Sequence, residues 1–137
     1  MAVSERPTSF AVRGEHQNGV VRLFASGELD ISTAPLLEEW LAAVEQLQPT
    51  KILVDFGDLR FMDSTGLKAL LHAHRQATGS GRAFVVVNGR EGVRSVFELT
   101  RTEHLIDSSA PPAILDPSTS DGEGEWSPIV LPGADGE

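Results

Sequence analysis

Three small polar residues, Asp63, Ser64 and Thr65, follow one another where a predicted strand gives way to a predicted helix. One capping residue satisfies the first N–H groups of a helix, an interaction worth ~1 kcal/mol, so capping accounts for one of the three. Gly66 comes next, and a glycine in a first helical turn costs about 1 kcal/mol against alanine, which indicates a close approach to the backbone there. Because helix N-termini favour negative charge, this helix would accommodate a phosphate on Ser64.

Catalytic and metal-binding patterns fit these residues poorly. The serine elbow of hydrolases has the pattern G-x-S-x-G, whereas this chain has M-D-S-T-G. His72 and His74 are two residues apart on a predicted helix and therefore point to nearly opposite sides, so they cannot form the i, i+4 pair of a zinc helix. We predict a protein without catalytic residues, metal or cofactor. An enzyme with Ser64 as nucleophile is a hypothesis for which the sequence offers no base.

A second polar cluster lies upstream, in the sequence GELDIST of residues 27–33, at the end of one predicted strand and the start of the next helix. In parallel α/β sheets the carboxyl ends of the strands, where helices begin, form the usual binding edge. We therefore expect Asp30 and Asp63 to lie at the same edge of the sheet.

The stretches between these clusters predict alternating strands and helices. Alternating or short continuous apolar runs, bounded by Gly and Pro, predict strands at 9–15, 20–29, 51–56 and 82–88. Residues 17–19, Gln-Asn-Gly, predict a tight hairpin between the first two strands. Apolar residues at helical spacing predict helices from Thr33 to just before Pro49, over 64–77 and over 91–99, and residues 104–106 predict a short strand or helical turn.

This order predicts an α/β fold with a mixed sheet of four or five strands. Because crossovers between parallel strands are right-handed, the helices should pack mainly on one face of that sheet. Residues expected in the core are Leu53, Val54, Leu70, Val85, Val86 and Phe97.

Composition restricts the class of protein further. The chain of 137 residues has no cysteine, which excludes disulfides and thiolate metal sites. It has no apolar run of the ~18–20 residues that a membrane span needs, and its first ten residues do not resemble a signal peptide. The net charge is −9, with a nearly neutral body rather than the basic face that nucleic-acid binding needs. We expect a cytoplasmic protein that binds neither nucleic acid nor membrane.

Charge and composition divide the chain into two parts, a folded domain at 1–107 and an acidic tail at 108–137. The tail is rich in Pro, Gly, Ser and acid and has no basic residue, a composition typical of disorder. One apolar island, WSPIVLP, begins at Trp126 and includes Leu131. Two interpretations stand for it: part of an inert tail, or a short segment that docks on a sheet edge or groove of another molecule.

Three motifs resemble the anti-sigma factor antagonist family, the STAS domain, over residues 9–107. They are GELDISTAP at 27–35, VDFGDLRFMDSTGLKALL at 54–71 and GREGVRSVFELT at 89–100. The resemblance implies a small α/β protein that binds an anti-sigma factor which is also a Ser/Thr kinase. It also implies that phosphorylation of a serine ends the binding until a PP2C-type phosphatase removes the phosphate.

Carried over by position, the phosphorylated serine is Ser64, with Thr65 as the fallback, and the partner-contacting acids are Asp30 and Asp63. We expect Thr65, Gly66 and Lys68 on the same docking surface. The alternative hypothesis is a scaffold STAS domain that is not phosphorylated and belongs to a larger signalling assembly.

Two positions depart from the family pattern. Lys68 stands where the family usually has Gly and puts a bulky cation beside the docking surface. Arg101 follows Thr100 where Gly is usual, which predicts a different cap for the third helix and a shortened or absent last helix.

Overall fold

The computed structural model describes residues 10–106 and 125–131. Within these residues, five strands form one sheet: β1 (Phe10–Gln17), β2 (Val20–Leu29), β3 (Lys51–Met62), β4 (Ala83–Val87) and β5 (Ser127–Ile129). The same part of the chain has three α-helices: α1 (Ala34–Gln46), α2 (Ser64–Gly79) and α3 (Glu91–Leu99). No helix in these two ranges is long and apolar enough to cross a membrane.

The sheet is mixed, with the strand order β4-β3-β2-β1-β5. β1 and β2 are antiparallel and pair from Phe10–Gly27 to Gln17–Val20. Asn18 and Gly19 form the turn between them, with φ of 50° and 83°. Positive φ at both central residues is what a two-residue hairpin turn requires, so the predicted hairpin is confirmed. β2, β3 and β4 run parallel, joined by α1 and α2, which confirms the predicted fold class.

Most apolar side chains lie on the helical face of the sheet. Alternate residues of the central strands, such as Leu23, Val54 and Val86, pack there with residues of α1, α2 and α3, including Leu70 and Phe97. The opposite face has a smaller cluster, in which Leu53 and Val87 are buried and Val20 and Val85 are partly buried. Five of the six predicted core residues are buried, and Val85 is half-buried.

β3 extends six residues beyond its predicted end at Phe56. Its second half pairs with the end of β2 through two register shifts, which lie between Phe24 and Ser26 and between Gly27 and Glu28. The N–H of Gly57 leaves the ladder and donates to Asp55 Oδ1 at 2.8 Å. The predicted strand stopped before Gly57, but bulges let the strand continue past this residue.

The acidic tail contains a strand, which corrects the prediction that residues 108–137 lie outside the fold. β5 pairs antiparallel with β1, from Gly14–Ile129 to His16–Ser127. Leu131 is buried in the main core, and Ile129 packs against it. The apolar island therefore docks on a sheet edge, as one interpretation held, but on the edge of its own chain. The remainder of the predicted tail, residues 108–124 and 132–137, lies outside the described residues.

The end of α3 also differs from the expectation based on Arg101. Arg101 has φ of 60°, the left-handed conformation that glycine usually supplies. Its N–H donates to the oxygen of Glu98 at 3.2 Å, and the N–H of Thr102 donates to the oxygen of Phe97 at 2.8 Å. These are the hydrogen bonds of a glycine-type helix end, so the cap keeps that geometry without the glycine. The turn Glu103–Leu105 and a bridge from Ile106 to Val86 follow, as predicted for 104–106.

Candidate functional site

The ends of β2 and β3 bring the two polar clusters together. The N–H of Asp63 donates to the oxygen of Leu29 at 3.2 Å. Leu29 and Met62 are paired in register, so Asp30 and Asp63 follow adjacent strand ends. The expectation that both carboxylates lie at one edge of the sheet is confirmed by this pairing.

Asp63 caps α2. Its backbone is extended, with φ of −113° and ψ of −171°, and its side chain accepts hydrogen bonds from the first turn of the helix. Asp63 Oδ1 accepts from the N–H of Thr65 at 2.9 Å and from the N–H of Gly66 at 3.4 Å. One residue therefore does the capping, as the sequence indicated. Ser64 is exposed as the first residue of the helix.

Asp30 organises the loop that leads into α1. Its Oδ1 accepts from the N–H and the hydroxyl of Ser32, at 3.0 Å and 2.8 Å, and from the N–H of Thr33 at 3.2 Å. The Ser32 hydroxyl in particular lowers the pKa of Asp30, because a hydrogen bond to the ionised carboxylate favours it. The carboxylate is therefore ionised at neutral pH and its loop is internally hydrogen-bonded.

Thr33, at which the first helix was predicted to begin, is the N-cap residue of α1 but makes no side-chain capping hydrogen bond. Its hydroxyl donates to the oxygen of Glu28 at 2.8 Å and accepts from the N–H of Asp30 at 2.9 Å. Thr33 thus ties the loop back to the end of β2 instead of capping the helix.

Gly66 is buried, which corrects the expectation that a partner approaches its backbone. A Cβ at this position would lie 2.6 Å from both Cγ and Cδ2 of Leu29 and 3.1 Å from Cγ of Met62. The close approach inferred from the sequence is real, but it is made by the protein's own strand ends. Packing of α2 on these strands accounts for the glycine.

The remaining predicted site residues lie on the first two turns of α2. Thr65 is half-buried and Lys68 is exposed. Lys68 is four residues after Ser64, hence on the same side of the helix and one turn further on. The cation that departs from the family pattern therefore lies beside the candidate phosphoacceptor.

Sequence reasoning missed two apolar residues at this edge, Ile31 and Phe61. Both are exposed, although large apolar side chains at strand ends usually join the core. Ile31 directly follows Asp30, and Phe61 pairs with Glu28. Phe61 lies in the unpredicted half of β3, and the only signal for Ile31 was an isolated apolar residue within a polar loop.

Two of the four histidines, His74 and His104, pack against each other. The ring of His74 packs edge-on against Phe84, with centroids 6.0 Å apart, and against His104, with centroids 5.4 Å apart. His72 is exposed on another side of α2. Within residues 10–106 and 125–131, no group of three or more His, Cys, Asp or Glu side chains is placed to hold a metal ion.

Together these features define a small mixed-sheet α/β domain in which the edge formed by the ends of β2 and β3 presents an exposed serine at a helix N-terminus and two carboxylates. The family model of the STAS domain matches residues 11–116. The chain belongs to the STAS domain family.

Known relatives agree with this assignment. The anti-sigma-F factor antagonist RsfB of Mycobacterium tuberculosis is 35% identical over 106 residues, which cover 72% of this chain and 87% of that protein. The crystal structure of an anti-sigma factor antagonist from Mycobacterium paratuberculosis superposes with a TM-score of 0.67 at 31% identity, covering 73% of this chain and 85% of that one.

A more distant structure shares the fold. The anti-sigma factor antagonist SpoIIAA in its unphosphorylated form superposes with a TM-score of 0.66 at 22% identity, covering 84% of this chain and all (100%) of that one. The family match ends at residue 116, so β5 lies outside the matched residues.

Proposed function

We propose that this chain is a cytoplasmic anti-sigma factor antagonist whose binding is gated by phosphorylation of Ser64. Unphosphorylated, it binds an anti-sigma factor that is also a serine kinase, which releases the sigma factor for transcription. Phosphorylation ends the binding, and a PP2C-type phosphatase restores it. The chain itself acts as a regulator without catalysis. The names of its relatives support the antagonist role, and the exposed position of Ser64 beside Asp63 supports the switch.

The surroundings of Ser64 favour a phosphate that leaves the fold intact. Asp63 already accepts from the N–H groups of Thr65 and Gly66, so a phosphate on the exposed Ser64 need not replace the cap. The N-terminus of α2 also favours negative charge. We therefore expect phosphorylated protein to remain folded, with the modification at its surface.

A partner bound at this edge would be affected far more. A phosphate adds roughly −1.5 to −2 charge at pH 7, next to Asp63 and near Asp30. A partner surface that matches two carboxylates would have to bury this further charge unpaired, at about 3–5 kcal/mol. That corresponds to binding weaker by on the order of 10²–10³-fold or more.

The test uses the organism's own anti-sigma factor with serine kinase activity, purified and incubated with ATP and this protein. Ser64→Ala should take no phosphate and bind like the unphosphorylated wild type, without release when ATP is added. Ser64→Glu should bind at least ~100-fold more weakly in calorimetric titration while unfolding at the wild-type temperature. Thr65→Ala is the matched control and should still be phosphorylated.

Two outcomes would contradict the proposal. If Ser64→Ala is still phosphorylated stoichiometrically and Thr65→Ala is not, the acceptor is Thr65. If neither residue takes phosphate and Ser64→Glu binds like wild type, the chain is a constitutive scaffold and not a switch.

A further inference from the structure

The edge that carries Ser64 also exposes large apolar side chains. Among the described residues the exposed large hydrophobic side chains are Ile31, Leu36, Leu47, Phe61, Leu99 and Val130. Three of them belong to the segments that meet at this edge: Ile31 to the loop after β2, Leu36 to the first turn of α1 and Phe61 to the end of β3. Single exposed apolar residues are ordinary on a protein surface, whereas several around one candidate site mark an interaction surface.

The main chain on both sides of Ile31 is held in place. Asp30 accepts three hydrogen bonds from Ser32 and Thr33, and Thr33 in turn bonds to Glu28. Ile31 is 75% exposed between these bonded residues. An apolar side chain presented by an ordered loop loses little conformational freedom on binding, so most of its burial would appear as affinity.

Phe61 is similarly fixed, because its main chain pairs with Glu28 in the sheet. The residue is 48% exposed. Partly buried aromatic side chains on a rigid element are typical of residues that dominate binding energy at interfaces. Ile31 and Phe61 are therefore held on the two strand ends that also carry Asp30 and Asp63.

Charge indicates what kind of surface would cover them. Three acids lie at this edge, Glu28, Asp30 and Asp63. Two cations accompany them: Arg60, which is 4.0 Å from the Glu28 carboxylate, and the exposed Lys68. The strand ends that carry the apolar side chains thus have more carboxylates than cations. A complementary partner has an apolar depression flanked by Arg or Lys.

We propose that Ile31 and Phe61 are the apolar anchors that hold the anti-sigma factor, and that the carboxylates set its orientation. This inference rests on the proposed function, since it names the contacts by which the same partner is bound. The partner surface it requires is an apolar pocket rimmed by basic groups. Affinity then comes chiefly from the apolar contacts, and the serine controls access to them.

The test measures binding of the purified anti-sigma factor to full-length variants. Ile31→Ala and Phe61→Ala should each raise Kd by about tenfold or more. The controls are Leu99→Ala and Leu47→Ala, whose side chains are 84% and 50% exposed and lie outside this edge. Both should bind within about twofold of wild type, because an exposed side chain outside the interface contributes no contact.

The salt dependence of binding distinguishes the contribution of the apolar anchors from that of the carboxylates. Raising the salt from 0.1 M to about 0.5 M should reduce the effect of Asp30→Asn and leave the effect of Ile31→Ala unchanged, since screening acts on charges only. When the Ile31→Ala variant is the substrate of the anti-sigma factor kinase, the KM for phosphorylation of Ser64 should rise with little change in kcat. The unfolding temperature of Ile31→Ala should match that of wild type, because the Ile31 side chain is mostly exposed and makes few contacts in the fold.

Failure of the inference and failure of the proposed function give different results. If wild type binds the anti-sigma factor and both anchor variants bind equally well, the anchors are wrong and the antagonist function stands. If wild type itself does not bind, both are wrong.

Discussion

Gly66 shows how a residue can be identified correctly and assigned the wrong role. A glycine in the first turn of α2 lowers helix stability relative to alanine, which indicated that other atoms come close to the backbone there. Those atoms belong to Leu29 and Met62. The glycine therefore fixes how closely the helix that carries Ser64 packs on the strand ends that carry Asp30 and Asp63. Its effect on any switch would be indirect, through the position of these elements.

A pair of glycine substitutions in α2 tests this role. Gly66→Ala should lower the free energy of unfolding by about 1–3 kcal/mol, because the added methyl overpacks against Leu29 at 2.6 Å. Gly79→Ala, at the other end of the helix, has nothing within 4 Å of the added Cβ and should be neutral or stabilising by up to about 1 kcal/mol. Urea unfolding measures both. Equal stability of Gly66→Ala and wild type would mean that Leu29 moves aside at no cost.

At the scale of elements, β5 is the largest departure from the sequence analysis. The segment around β5 packs on both faces of the sheet. Ile129 and Leu131 join the core on the helical face, and on the opposite face the ring centroid of Trp126 lies 4.1 Å from the guanidinium carbon of Arg22 in β2. Arg22 is itself buried and forms an ion pair with Glu15 of β1. Pro128 has no N–H to donate, so this edge strand is poorly suited to recruiting a further strand.

We therefore expect the segment around β5 to contribute to stability, although the composition of residues 108–137 is typical of disorder. Leu131→Ala should cost about 2 kcal/mol or more, since it empties a buried site in the main core. The neighbouring Val130 is exposed, and Val130→Ala should change stability by less than about 0.5 kcal/mol. Thermal or urea unfolding of the full chain measures both variants. A Leu131→Ala variant as stable as wild type would show that docking of Leu131 adds nothing to the stability of the fold.

At the scale of the whole molecule, His74 links stability to pH. Burial lowers its pKa from 6.5, with help from the nearby His104 and Arg75, because the charged form is disfavoured. Above pH 6.5 the ring is neutral in both states and contributes no pH dependence. Below it, the unfolded chain binds a proton that the folded chain binds only at lower pH, so stability falls as the pH falls.

Unfolding by urea at pH 7.5, 6.5 and 5.5 should show this decrease in wild type and a smaller decrease in His74→Phe, which keeps an aromatic ring against Phe84. An identical pH dependence in wild type and His74→Phe would exclude His74 as the cause.

Asp30 affects stability at a lower pH than His74 does. The pKa of Asp30 is lowered from 3.8, so its contribution to the free energy of unfolding is complete above pH 3.8 and is lost as the pH falls through the lowered pKa.

Much of the architecture was determined by the sequence alone, because it depends on neighbouring residues. The Asn18-Gly19 turn, the span of β2 and the span of α3 were predicted as found, since turn chemistry and apolar periodicity are local signals. The same holds for the meeting of Asp30 and Asp63, which follows from parallel strands ending at one edge.

Only the tertiary structure decided the rest, because it depends on partners distant in the chain. The second half of β3 is a strand because the end of β2 lies beside it, and residues 127–129 are a strand because β1 offers a free edge. Arg101 holds a left-handed conformation because Thr102 bonds back to Phe97, and Gly66 is buried because Leu29 packs on it. Short-range patterns carry no information about which distant segment will be present, and pairing with that segment is what makes these conformations stable.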